Sequence, residues 1–264
     1  MRWILAFIAG LLLLLLALWH GALPESTVRG LINHALADTG HSVEMSGFRK
    51  GLFCSFTVET LTLSETGDRV QGTGRSLDLH DVSAGLVPGS LLTLTPQLSL
   101  RGRLAGGHLS AMMKLTGDPS TVVSTESVNL RDLSILRSYG IEGDGLVKAN
   151  LNVSGTIGRV SFSVSDARLA NTNLGGAPLP LSLFHTIRGI FDISREKAEI
   201  PSVALEGTGV YARIAGAIEG RLMTLKVEVM HDASYTPDPL VAAMLRPYRV
   251  SPGYYVIPVK QTAP

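Results

Sequence analysis

Residues 222–231 read LMTLKVEVMH. Met223, Leu225, Val227 and Val229 take every second place, with Thr224, Lys226 and Glu228 between them. A period of two marks a strand with one apolar and one polar face. The pattern spreads outward from this stretch. Val210, Ala212 and Ile214 repeat it, as do Val160, Phe162 and Val164, and Val147, Ala149, Leu151 and Val153. Further back it returns in Leu109, Ala111, Met113 and Leu115, in Leu92, Leu94, Leu98 and Leu100, and in Leu77 and Leu79. Phe56 and Val58 alternate in one phase and Leu61 and Leu63 in the other, which predicts a bulge near Glu59. Turn signals separate the runs: Gly106-Gly107, Gly117-Asp118-Pro119 and Gly143-Asp144-Gly145. Ser194-Arg195-Glu196-Lys197 predicts a hairpin turn between 187–193 and 198–206. The reading is mainly β: a long antiparallel meander with one greasy face.

Helical spacing is scarce. Val28, Leu31, Ile32, Ala35 and Leu36 fall on one face of a helix, with Ser26 placed as N-cap and Gly40 as stop. This amphipathic segment, 24–40, either lies on a membrane or plugs one end of a sheet. Residues 237–245, PDPLVAAML, give the second short helix. Two short helices cannot cover the apolar faces of so many strands. A sandwich, a closed barrel or a sheet curled into a trough would each solve this, and the pattern alone does not choose. A trough leaves apolar surface for lipid or a protein partner.

Residues 3–19, WILAFIAGLLLLLLALW, carry no charge, and continuing to Leu23 gives a run long enough to span a bilayer. Trp3 and Trp19 stand near its ends, where indoles favour the interface. Arg2 precedes it, which places the N-terminus in the cytoplasm and the rest outside. A cleaved signal peptide is the rival reading. It fits less well, because the apolar run is long and Trp19-His20-Gly21-Ala22 makes a poor cleavage site. The expected organisation is a transmembrane anchor over 1–23, the amphipathic helix over 24–40 and a β-sheet domain over 41–264 on the far side.

Charged residues make up 17% of the chain, below the roughly 25% of ordinary soluble domains. Net charge is +1 with no basic run, which argues against nucleic acid as a partner. The single cysteine, Cys54, lies in Leu52-Phe53-Cys54-Ser55-Phe56 and reads as a small buried hydrophobe. The seven histidines are spread singly, so His34 reads as a helix-surface residue. No H-E-x-x-H, Walker A or G-x-S-x-G occurs. Gly207-Thr208-Gly209-Val210-Tyr211-Ala212 looks like a degenerate dinucleotide fingerprint, but the residues after it alternate like a strand rather than open a helix. Asn152-Val153-Ser154 is a chance glycosylation sequon. Met112 and Met113 read as packing residues, with at most one facing the core. An enzyme would need Asp78, His80 and Asp81 to meet at one mouth. Asp78 and His80 oppose Leu77 and Leu79, so a solvated polar face is expected. The expectation is a non-enzyme with no catalytic, cofactor or metal residues.

The succession of anchor, short helix, His41-Ser42-Val43-Glu44-Met45-Ser46-Gly47-Phe48 and Val58-Glu59-Thr60-Leu61-Thr62-Leu63 resembles the start of the type II secretion system protein N (GspN) family, and more distantly AsmA-like proteins. The strand endings Leu100-Arg101-Gly102, Leu115-Thr116-Gly117, Val153-Ser154-Gly155 and Ile214-Ala215-Gly216 share in it, as does the tail Gly253-Tyr254-Tyr255-Val256-Ile257. Pro258 departs from it and puts the pairing of the last strand in question. The resemblance implies a single-pass inner-membrane protein of Gram-negative bacteria with a periplasmic, trough-like antiparallel sheet. It implies an accessory part in type II protein secretion, beside other components of that machinery. The AsmA likeness implies the alternative, phospholipid bound in an apolar groove for outer-membrane maintenance. No site residue carries over from either.

Overall fold

The computed structural model describes residues 24–37, 41–51, 54–65, 76–138, 141–174, 177–194, 197–220, 222–233 and 235–262. The expected anchor, 1–23, and Gly40 lie outside them. The described chain is mainly β and falls into two compact units, the first running to Leu104 with His108–Pro119, the second Ala105–Gly107 with the described residues from Ser120 onward. In each unit the strands follow one another along an open antiparallel path, so neither unit closes into a barrel.

The first unit holds β1 (His41–Ser46), β2 (Arg49–Lys50), β3 (Ser55–Glu65), β4 (Ser76–Leu86), β5 (Gln97–Leu104) and β6 (Gly107–Lys114). β1 and β2 lie end to end along β3, which pairs with β4, which pairs with β5. The change of phase expected near Glu59 is present, but it is a row across the sheet rather than a bulge in one strand. Buried Val58 stands opposite Val82, and Leu61 opposite Leu79, with no shift of register between β3 and β4. Asp81, at φ 49, makes the same change in β4, and Gly47, at φ 64, makes it between β1 and β2. The positive φ favours glycine at 47, and a side chain there would also displace the exposed Glu59 side chain. The extra residue shows as a register shift only between β4 and β5. Phe48, Val58, Leu61, Leu79 and Val82 therefore share one buried cluster despite their mixed parity.

Helix α1 (Glu25–Ala37) packs on this cluster through buried Val28. Of the two places expected for the amphipathic segment, the structure shows it against the sheet. Ser26 is not the N-cap: the helix already includes Glu25, and the Pro24 carbonyl accepts from Thr27 and Val28. The Glu25 carboxylate accepts from the Lys50 amide at 3.3 Å. Arg29 lies 5.7 Å from the Phe48 ring, which stacks on Phe56. A one-turn helix, α2 (Pro88–Leu92), lies between β4 and β5.

The second unit holds β7 (Ser120–Asn129), β8 (Gly143–Ser154), β9 (Ile157–Leu169), a separate hairpin of β10 (Thr172–Leu174) and β11 (Ala177–Leu179), then β12 (Phe184–Ile193), β13 (Lys197–Gly207), β14 (Val210–Glu219), β15 (Leu222–His231), β16 (Arg249–Ser251) and β17 (Tyr254–Thr262). One-turn α3 (Ser134–Ser138) stands between β7 and β8, and α4 (Pro239–Leu245) between β15 and β16. The two expected helices are thus joined by two further short ones among the described residues. The expected hairpin at Ser194 forms: Ile193 opposes Ala198, and the Ser194 amide donates to the Lys197 carbonyl. Pro258 does not break β17, which pairs with β15 from Tyr254 to Thr262 without a shift.

Candidate functional site

The second unit carries its apolar residues in rows that cross the strands. One row runs Val164, Ile187, Leu205, Ala212, Val229, Tyr255, each facing the next across the ladder. Every residue in it is buried. The next runs from Phe162 through Gly189, Val203, Ile214 and Val227 to Ile257, which has no exposed surface. A side chain on Gly189 would overlap the Phe162 ring and come within 2.9 Å of Val203. Glycine at this point lets the ring lie flat over the strand.

The burial has an identifiable cause. Helix α4 lays Val241 and Leu245 into the cluster, and Leu179 of β11 and Leu181 join them. Asp238 caps that helix, accepting from the Leu240 amide at 2.8 Å, with Pro239 pre-set for the first turn. β11 also lies against β17, so the hairpin that follows β9 reaches the far strand of the sheet.

Among the described residues no such cover reaches the other end of the strands. The row there runs Val153, Gly158, Ile193, Ala198, Ile218, Met223. Its apolar members are half-buried, and Ile193 is 43% exposed. Leu151, Val160 and Phe191 beside it are half-buried too, and Phe191 stacks on Phe162 at 5.3 Å. A recess of about 660 Å³ lined by Ile193, Ala198, Ile218 and the polar Ser194, Lys197 and Glu219 sits at this end. The candidate site is this strip, left uncovered among the described residues, whose half-buried apolar side chains can take an apolar chain or an apolar protein surface.

The opposite, polar face is braced by ion pairs. Arg159 grips Asp192 through both carboxylate oxygens, at 2.6 and 3.0 Å. That hydrogen bonding holds the Asp192 carboxyl below the ordinary range and raises Arg159. Lys226 donates to Glu228 at 2.6 Å and lowers its pKa, with Tyr254 adding a weaker bond. Lys197 bridges Glu199 and Glu219 and is raised by both, Glu199 first. A shallow hollow of about 460 Å³ on the same unit is lined by Lys148, Asn150, Ser161, Ser163, Arg188 and Ser202, among others.

The residues considered for catalysis do not assemble. Asp78 accepts from Thr62 at 2.8 Å, Asp81 is ion-paired to Arg103, and His80 is exposed opposite Thr60. Among the described residues no cluster of three His, Cys, Asp or Glu side chains could hold a metal ion. Gly207 and Gly209 end one strand and precede another, and Tyr211 to Ile218 lie in β14, so no helix meets a phosphate there. Cys54, expected to be buried, is half-buried in a turn at φ 56. Met112 and Met113 are both exposed, at 50% and 40%, so neither is a core residue as expected. His34 is exposed, as expected. Among the described residues no helix is long and apolar enough to cross a membrane. No family model, curated protein or solved structure matches this chain.

Proposed function

We propose that this chain is a single-pass protein of the bacterial inner membrane, anchored by residues 1–23, with its two β units in the periplasm as an accessory of type II protein secretion. The anchor reading is supported by the sequence of residues 3–23, a charge-free run long enough to span a bilayer with Trp3 and Trp19 near its ends. The secretion role draws on the likeness of residues 41–63 and of the glycine-ended strands to the GspN family. The observation that carries an interaction role is the apolar strip from Val153 to Met223, half-buried and left uncovered among the described residues.

The same strip favours a second reading, in which phospholipid acyl chains occupy it, as the AsmA likeness suggests. The two readings separate in one experiment, a comparison of periplasmic and extracellular proteomes with and without the gene. Folded exoproteins held in the periplasm behind an intact outer membrane are the expected result for secretion. Normal export with a lipid-altered, leaky outer membrane would transfer the role to lipid handling.

A further inference from the structure

Residues 82–100 carry no charged side chain. They include the loop 87–96, which joins β4 to β5 in the first unit. Leu94 on this loop is 86% exposed and Leu91 is 38% exposed. The loop is firmly built. The Val87 amide donates to the Gln97 carbonyl at 2.9 Å and closes its neck. Buried Ser90 donates to the Val87 carbonyl and accepts from the Gln97 amide. The Thr95 amide donates back to Ser90. Leu94 is held at φ 53, a strained backbone for a leucine, and its side chain is left in the open.

Where this loop stands follows from the register. Glu25 accepts from the Lys50 amide, Lys50 opposes Phe56, and Phe56 opposes Ala84, two residues before β4 ends. Leu86 opposes Leu98, and the Leu115 amide donates to the Pro96 carbonyl at 3.0 Å. Pro24, the loop with Leu91 and Leu94, and half-exposed Leu115 therefore share one end of the first unit's sheet. The apolar run 1–23 joins the unit at that same end.

We infer that this end of the first unit rests on the phospholipid surface, with Leu91 and Leu94 entering its interfacial layer. The inference builds on the anchor reading above. The occupant is identified by continuity of chain: with no linker between a bilayer-spanning run and Pro24, the surface beside Glu25 is held at the bilayer. An uncharged loop tip bearing leucines is what an interfacial contact requires.

The test uses the full chain carrying Cys54→Ser, floated with vesicles of phosphatidylethanolamine and phosphatidylglycerol containing shallow spin-labelled lipid. An environment-sensitive fluorophore is placed at Leu94→Cys, at Leu91→Cys as a second reading, and at Glu44→Cys. Glu44 opposes Thr62, seven residues along β3 from Ser55, roughly 23 Å at ~3.3 Å per residue. The expected result is a blue-shifted emission at 94 that loses most of its intensity to labelled lipid, with position 44 unaffected. Floating protein with both positions alike in water overturns the inference and leaves the anchor standing. A shifted but unquenched emission at 94 points to a protein occupant and also overturns it. Protein that fails to float overturns the anchor and the inference together.

Discussion

The two units solve the same problem to different degrees. Each is an open sheet with one apolar face. In the first, one helix covers the face, and the buried cluster is small: Val28, Phe48, Val58, Leu61, Leu79 and Val82. In the second, a helix and a hairpin cover half of it, and the buried cluster runs from Leu130 to Val259. The difference teaches that the strands alone do not set stability here. What sets it is the material laid across them, since apolar area counts only when it leaves water.

The largest effect is expected at Ile257. Ile257→Ala removes a side chain with no exposed surface and should cost about 2–4 kcal/mol. Hydrogen exchange should show the loss in the second unit and leave β3 and β4 protected as before. Equal loss of protection in both units would end the comparison, because the units would then unfold as one. Leu245→Ala, which withdraws α4, should cost a similar ~2–3 kcal/mol and raise binding of an apolar dye. Gly189→Ala forces the Phe162 ring to move and should cost about 1–3 kcal/mol, read as a shift of the denaturant midpoint. At the uncovered end the effect should fall below about 1 kcal/mol: Met223→Ala removes contacts already half in water. A Met223 variant as damaging as Leu245→Ala would show that something in the native protein covers that end. The smallest effect belongs to Asp192→Asn. Because Arg159 depresses the folded pKa of Asp192, the pair contributes above the ordinary carboxylate range, near pH 4. Its contribution fades as pH falls through the lower folded value. The variant should therefore match the parent in acid and fall slightly behind it at neutral pH, the pair being largely exposed.

Much of the ladder was readable because alternation is a local signal. Met223 to Val229, the hairpin at Ser194 and the helix ending at Leu245 all lie where the period puts them. The row of phase changes was only half readable. Leu61 and Leu63 betray it in β3, but the positive φ of Gly47, between β1 and β2, and of Asp81, in β4, leaves no mark in the alternation. Nor could alternation tell a covered strand end from a bare one. Leu205 and Ala198 look alike in sequence, yet one is beneath the lid and the other is beyond it. The lid itself came partly from β10 and β11, too short to show a period. Met112 and Met113 read as packing residues, with at most one facing the core, yet both are exposed, because alternation shows which side a residue faces and not whether that side is covered.

Pro258 has a consequence beyond the fit of β17. In an unbroken ladder with β15 its nitrogen must face away from that partner. On that side β16 pairs only as far as Tyr255, so among the described residues no strand pairs with the rest of that edge. A bare edge is a template on which another chain can grow, and growth needs a regular series of donors. Pro258 removes one from the middle of the series. Pro258→Val would restore it and give crowded copies a seed for polymerisation, so the residue that looked like a fault in the last strand serves as its terminator.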